Sequence, residues 1–392
     1  MSSPQKRLLF VLRDTRYFIT HRLPLAQAAR RAGYEIAIAC DTYDDETAQQ
    51  INENGFFRFE IPFLRRQGNL AIRISSCLIA VRRALVEFHP EVVHAVSLQS
   101  VVICGLLCWV MRRPFIGLIA GFGSVFQVRG LRGKFIRRGV LLTLQVIMAN
   151  RRAILVFMNE EDRGRLVAGK GVDPSRTLVI RGSGVDTERF FFSPWTGERP
   201  LRILMASRLY REKGVGEYLA AASELVHEFP QVEFVLAGDT DPLNPTSYQE
   251  EELGKLCAAS GVRWIGFQKD MPSLLAQHAV YCLPSYHEGL PLSLLEAAAA
   301  GCILVATDIP GCREVVKDSE TGFLVQRGDA KHLTDTLRRI LREPDSFGAL
   351  PKNARSLIAQ DFSVERVVGT YLDLYKRMTS PRDVRLSERV LP

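Results

Sequence analysis

The sequence has no Cys-x-x-Cys pair, although it holds eight cysteines. Their scatter, at Cys40, Cys77, Cys104, Cys108, Cys312 and elsewhere, argues against zinc or a disulfide framework and suits small buried apolar residues in a reducing compartment. No G-x-G-x-x-G follows the first apolar run, which argues against an ordinary dinucleotide enzyme. No solenoid-length repeat is present. The amino terminus lacks an apolar core of signal-peptide length, because Arg13, Asp14 and Arg16 interrupt it. Val92 to Val110 has the length of a membrane span, but His94, Ser97, Gln99 and Ser100 make it a strand followed by a buried helix.

Acid is absent from two stretches. Between Glu60 and Glu87 the only charges are Arg65, Arg66, Arg73, Arg82 and Arg83. Between Phe126 and Asn159 there are only Arg129, Arg132, Lys134, Arg137, Arg138, Arg151 and Arg152, interleaved with Phe, Leu, Val and Ile. Such a mixture suits an anionic membrane surface, or equally a solvated helix face with buried arginine stems. Aromatics are too sparse there for a base-stacking platform and no reader motif occurs, so no nucleic-acid partner is expected. The net charge of +8 and 47% apolar residues otherwise describe an ordinary globular chain.

At 392 residues two domains are expected. Short apolar runs alternate with helical stretches: LLFVL, EIAIAC, EVVHAV, PFIGLIA, AILVFM and RTLVI, then RILMAS, VEFVLAG, VRWIGF, YCLP, ILVAT and GFLV. Alternation of this kind specifies an α/β fold of two doubly wound parallel-sheet domains, expected to face a central cleft. The expected boundaries are 1–190 for the first domain and 201–361 for the second. A Pro- and Gly-marked linker, 191–200, joins them, and 362–392 forms a helix and tail returning to the first domain.

Ligands of doubly wound sheets bind beyond the carboxyl ends of the strands. Three such loops in the second domain are notable. SRLYREKG, 207–214, offers Arg208 and Lys213 to one anion, with Gly214 leaving room for backbone approach. SYHEGLPLSLLEAAAAG places Glu288 in the loop and Glu296 inside the following helix, with Pro291 in its first turn. Amides of Gly289, Leu290 and Leu292 would face a phosphate, whereas Glu296 suits a neutral diol such as ribose, and Glu288 sugar hydroxyls or positive charge at an anomeric carbon. On spacing alone, Glu296 suits a surface helix charge equally, and Glu288 a loop charge. TDIPGCREVV adds a Pro-Gly turn with Glu314 at a helix start. Asp239-Thr-Asp241 matches Asp-x-Asp but sits in a Pro-rich loop and reads as a turn; neither a metal nor a cofactor is expected.

The combination S-R-L-x-x-x-K-G, S-x-x-E-G-L-P-x-x-L-L-E-A-x-A-x-G and T-D-x-P-G-C-R-E-x-V resembles the retaining GT-B glycosyltransferases of glycosyltransferase family 4. FITHRLPLAQAARRAGYEIAIACD, VVHAVSLQSVVICGLL and GLIAGFGSVF resemble the branch that extends polyprenyl-diphosphate-linked sugars in surface-polysaccharide or glycoprotein assembly. The resemblance implies that Glu288, Arg208 and Lys213 are catalytic, with Arg208 and Lys213 holding the donor diphosphate, and that 1–190 binds the acceptor and faces the membrane while 201–361 binds the nucleotide sugar. It implies a structural turn at Gly184, Val185 and Asp186. His21, Arg22, Gly121 and Gly123 would line the cleft, with His94 and Gln99 as further acceptor candidates. The chain departs from the family by lacking a histidine between Ala120 and Gly123, and from the branch by having Gln99 where lysine is frequent. The implied function is transfer of a sugar, first an N-acetylhexosamine or hexose, from a UDP-sugar to a polyprenyl-diphosphate-linked saccharide. The protein would be cytoplasmic and peripheral on the inner face of the membrane, through Arg129, Arg132, Lys134, Arg137 and Arg138. A nucleotide-sugar epimerase on the same scaffold, needing no lipid acceptor, and a non-catalytic sugar-nucleotide-binding scaffold, not needing all four of Glu288, Glu296, Arg208 and Lys213, are the alternatives.

Overall fold

The computed structural model of the chain describes residues 6–63, 69–121, 130–168, 172–197, 200–242 and 244–380. They form two compact units, divided between Ser183 and Gly184, with the chain from Val367 returning to the first.

The first unit is built on a seven-stranded parallel sheet. Its strands are β1 (Lys6–Asp14), β2 (Tyr34–Asp41), β3 (Phe57–Glu60), β4 (Val92–Val96), β5 (Phe115–Ile119), β6 (Ala153–Phe157) and β7 (Thr177–Val179), in the order β3-β2-β1-β4-β5-β6-β7. β4, β5 and β6 are buried at every residue, because helices cover both faces. Each fully buried Leu or Val there contributes about 1.5–3 kcal/mol relative to exposure. β3 escapes the sequence pattern: FRFE is mostly exposed at the sheet edge and has no apolar run to mark it. The chain after β1 turns directly into the helix Thr15–His21, capped by Asp14, which accepts from Tyr17 N at 2.7 Å.

The second unit holds six parallel strands, β8 (Arg202–Ala206), β9 (Glu233–Ala237), β10 (Val262–Trp264), β11 (Val280–Leu283), β12 (Ile303–Thr307) and β13 (Gly322–Val325), in the order β10-β9-β8-β11-β12-β13. In both sheets the chain winds outward to one edge and then restarts beside its first strand. The switch points therefore lie between β1 and β4 and between β8 and β11, where a doubly wound sheet opens a crevice for ligand.

Residues 191–197 pack on the second unit. Ser193 N donates to Ala300 O at 2.9 Å, and a Cβ on Gly301 would lie 3.0 Å from the Phe192 ring. Arg355 ties the same region down, donating to the carbonyls of Phe190 (2.8 Å), Ala299 (2.7 Å) and Thr187 (2.7 Å). Gly184 has φ +75° and lies against Val364, where a Cβ would come within 2.5 Å of Cα. Asp186 accepts from the amides of Glu188 and Arg189 at 3.0 and 2.9 Å, so Gly184-Val185-Asp186 is a built turn.

The helix Val364–Met378 delivers Tyr371 and Tyr375 to the core of the first unit. Among the described residues no helix is long and apolar enough to cross a membrane. The eight cysteines are all free and buried.

Candidate active site

The two loops at the switch point of the second sheet meet directly. Lys213 ends a 3-10 turn, Arg211–Lys213, in the loop after β8, and Glu288 sits in the loop after β11. Lys213 Nζ donates to Glu288 Oε1 at 2.6 Å, with side chains only 15% and 14% exposed. Two glycines allow the approach. Gly214 has φ +78°, and a Cβ there would stand 2.1 Å from Pro284 O; the backbone it admits is therefore the neighbouring loop rather than a ligand. Gly311 sits against the other side, where a Cβ would lie 2.5 Å from Glu288 O. The main chain agrees, since Tyr286 N donates to Glu212 O at 2.8 Å. Tyr286 OH also donates to Glu217.

The helix after this loop runs Leu292–Ala300. Pro291 is its N-cap in extended conformation, not a first-turn residue, because φ −76° and ψ 113° place it just outside. No side chain caps the helix start, which leaves the Gly289–Leu292 stretch beside a partial positive charge. Leu290 is buried, and Gly289 and Leu292 are half-buried. Glu296 lies one turn further in. The residue keeps some accessible surface, but its carboxyl is desolvated enough to raise its pKa to about 7, with Arg189 as the opposing positive influence. Carboxyl desolvation decides this value, since the accessible part of the residue does little to hydrate the ionised group.

Arg208 is exposed, with its guanidinium over the Tyr210 ring at 4.9 Å. Tyr210 OH is held by Asp241 Oδ2 at 2.9 Å, and Asp239 Oδ1 accepts from Phe267 N at 2.9 Å, so both carboxylates of the Asp-x-Asp match serve the loop. Glu314 is the fifth residue of the helix Pro310–Val315, not at its start, because the helix begins at Pro310. Arg189 and Arg355 were not evident from sequence. No motif marks either, and their roles arise from packing across 56 to 168 positions of chain.

In the first unit the switch-point residues behave differently from one another. His21 stacks on Tyr17 with centroids 4.3 Å apart and lies 3.4 Å from Ser183 Oγ. Arg22 is 1% exposed, with its guanidinium 5.6 Å from the Tyr371 ring, and its Nε and Nη2 have no hydrogen-bond partner among the described residues. His94 is fully buried against Phe10 and Tyr371, and Nδ1 lies 2.7 Å from Tyr375 OH. Burial, then the nearby Arg22 charge, hold its pKa well below the usual histidine range, so the ring is neutral. Gln99 is exposed at the second position of the helix Leu98–Val110. Gly121 has φ +128°, a conformation open to glycine. Gly123 and Arg129 lie outside the described residues, as does the side chain of Arg132. Lys134 and Arg138 are exposed and Arg137 is half-buried on the helix Gly130–Met148, alongside Phe135 at 73% exposure.

Two family models match the chain, a glycosyl transferase 4-like domain over residues 19–182 and glycosyl transferases group 1 over residues 186–357. A relative from Campylobacter jejuni, N,N'-diacetylbacillosaminyl-diphospho-undecaprenol alpha-1,3-N-acetylgalactosaminyltransferase, is 24% identical over 91% of this chain and 95% of its own. The Escherichia coli UDP-Gal:alpha-D-GlcNAc-diphosphoundecaprenol alpha-1,3-galactosyltransferase is 27% identical over 81% of this chain and 83% of its own. Among solved structures, Anabaena HepE in complex with UDP and glucose superposes with a TM-score of 0.73 at 18% identity, covering 95% of this chain and 99% of that one. Sucrose-phosphate synthase from Thermosynechococcus elongatus gives 0.75 at 18% identity over the same shares. With matches spanning both units and the paired parallel sheets of the GT-B fold, the chain belongs to the family 4-like, group 1 glycosyltransferases.

Proposed function

We propose that the protein transfers a sugar, an N-acetylhexosamine or hexose, from a UDP-sugar to a lipid-diphosphate-linked saccharide with retention of anomeric configuration, without a metal. The observation that carries this reading is the Lys213–Glu288 pair at the switch point of the second sheet, in the loop that leads into the helix holding Glu296. The names of the C. jejuni and E. coli relatives, both acting on diphospho-undecaprenol saccharides, support the acceptor class. The UDP-sugar bound by HepE supports the donor class.

An ammonium group has three donors. Lys213 can therefore keep Glu288 while donating to a diphosphate oxygen, and Arg208 adds a second positive charge on the same loop. The uncapped helix start at Leu292 adds main-chain donors. Together these stabilise the leaving diphosphate as the bond between the anomeric carbon and the phosphate oxygen breaks, its electron pair departing with the phosphate. The acceptor hydroxyl attacks that carbon on the same face, and its proton passes to the departing phosphate oxygen. Glu288 contacts sugar hydroxyls and offsets positive charge at the anomeric carbon. Glu296, once ionised, accepts from the two ribose hydroxyls. The same protein acts at the cytoplasmic membrane surface through the basic, apolar face that includes Lys134, Phe135 and Arg138.

The test is product analysis by mass spectrometry and NMR after incubation with a panel of UDP-sugars and a polyprenyl-diphosphate-linked saccharide. One added sugar with the donor's anomeric configuration, lost in Glu288→Gln, is expected. Isomerised sugar nucleotide without glycolipid product would establish the epimerase instead.

A further inference from the structure

A groove of about 400 Å³ opens to solvent at the far pole of the first sheet. It lies at the amino ends of β4, β5 and β6, whose five residues each, roughly 16 Å of strand, separate it from the switch-point crevice. Arg112 and Arg113 line it from the turn before β5, and Arg152 from the turn before β6. Glu91 adds a carboxylate from the residue before β4, and Thr379 a hydroxyl from just beyond the helix Val364–Met378. Only Met111 and Pro114 of the lining are apolar.

Local structure does not account for these arginines. Carbonyls at the end of the helix Leu98–Val110 are already taken by the main chain: Met111 N donates to Leu107 O and Arg113 N to Cys108 O, both at 2.8 Å, and Arg112 N to Trp109 O at 3.2 Å. The Arg112 and Arg113 guanidinium groups are therefore not needed as caps. Arg112 also has φ +52°, the left-handed conformation that glycine usually fills after a helix. A branched-backbone penalty is thus accepted to keep an arginine there. Arg152 gives one donor to Met378 O at 2.5 Å, and a guanidinium has five. Among the described residues no carboxylate forms an ion pair with Arg112, Arg113 or Arg152, Glu91 included. Three cations share a groove with one acid.

We propose that this groove binds a sugar phosphate. Guanidinium edges take two phosphate oxygens at once, so Arg112, Arg113 and the remaining donors of Arg152 hold the phosphate, while Glu91 and the Thr379 hydroxyl accept from sugar hydroxyls. The volume falls within the range of small-molecule sites. A lipid headgroup shares the phosphate chemistry, but Met111 and Pro114 give acyl chains little to pack on. Arg152 also follows the end of the helix Gly130–Met148, whereas Lys134, Phe135 and Arg138 lie near its start, about 15 Å or more away along the axis. The site is separate from the one in the second unit and does not rest on the transferase reading, because binding is read without turnover.

The full chain, with UDP in excess to occupy a donor site, is titrated calorimetrically with glucose 1-phosphate, inorganic phosphate and glucose, and is sedimented with phosphatidylglycerol vesicles. Glucose 1-phosphate binds one to one and more tightly than either fragment. Arg113→Gln weakens it by about tenfold or more, the size of one charge-assisted hydrogen bond. Arg112→Gly weakens it likewise while the thermal midpoint holds or rises, since glycine suits φ +52°; loss of binding is thereby separated from loss of fold. Glu91→Gln tightens inorganic phosphate and narrows the preference for the sugar phosphate. Glucose 1-phosphate binding indifferent to Arg112→Gly and Arg113→Gln overturns the proposal, as does the lack of any saturable binding or an equal affinity for inorganic phosphate. Vesicle binding lost in both variants, with no response to glucose 1-phosphate, gives the groove to a lipid headgroup and overturns it as well.

Discussion

Lys213 and Glu288 come from loops 75 positions apart and meet at 2.6 Å. Both are mostly buried, so each neutralises a charge that would otherwise be costly to hold out of water. Glu288→Gln should lower kcat by about 10²–10³-fold while UDP affinity stays within a few-fold, because the lost carboxylate acts on the sugar. Lys213→Met should instead weaken UDP binding. The double variant should be more stable than the sum of the single losses predicts, since neither charge is then left unpaired. Isothermal titration with UDP and thermal unfolding of the three variants check this, and strict additivity would argue against coupling.

Glu296 carries a carboxyl with pKa raised to about 7 by burial. Its proton is held more tightly in the folded state than in the unfolded chain. Its contribution to stability is thus fully present below the unfolded value and is lost as pH rises through about 7. Glu296→Gln should therefore stabilise the ligand-free protein at pH 8, by no more than roughly 3 kcal/mol, because each pKa unit is worth 1.36 kcal/mol at most here. UDP affinity should move the other way. It should rise with pH across neutrality in the unaltered protein, as the carboxylate acceptor forms, and become weak and flat in the variant. Titration calorimetry from pH 6 to 8 distinguishes these curves.

Arg355 donates to three carbonyls that fix the Thr187–Phe190 segment to the end of the Glu296 helix. Arg355→Met should cost about 3 kcal/mol or more, since three carbonyls lose a charged donor. Denaturant unfolding measures it, and a loss under about 1 kcal/mol would show that water replaces the side chain.

Gly214 combines φ +78° with a backbone oxygen where a Cβ would go. Gly214→Ala should cost more than the roughly 1–3 kcal/mol of backbone strain alone, and it should reduce kcat by separating the loops that carry Lys213 and Glu288. A variant with ordinary stability and full turnover would contradict that account.

Phe135 is 73% exposed between the exposed Lys134 and Ile136. Co-sedimentation with phosphatidylglycerol vesicles should be strong at low salt and weaken as salt rises, each basic residue contributing about 1 kcal/mol near the surface. Phe135→Glu and Lys134→Glu/Arg138→Glu should each reduce it. Equal binding to neutral vesicles, or binding indifferent to salt, would exclude the anionic-surface reading.

Much of the fold was legible because buried parallel strands must be apolar along their whole length. Twelve strands correspond to quoted apolar runs, and β3 was hidden because an edge strand facing solvent needs no such run. The Lys213 and Glu288 loops were legible as charge beside glycine at strand ends, and Gly214 and Gly311 were visible as glycines whose neighbours were not. Arg355 and Arg189 were illegible, since a lone arginine in a helix or loop reads as a surface charge until its partners are known. His94 was an acceptor candidate, and Tyr375, 281 positions later, shows what occupies its Nδ1.

By itself the sequence determined the two parallel sheets, their order of strands along the chain, and which loops hold charge, because period and residue type act locally. Only the tertiary structure decided which charges meet. It paired Lys213 with Glu288, buried the Glu296 carboxyl, and shut Arg22 and His94 beneath two tyrosines. Contact and desolvation depend on chain segments far apart in sequence, and those quantities set the charge state of a site.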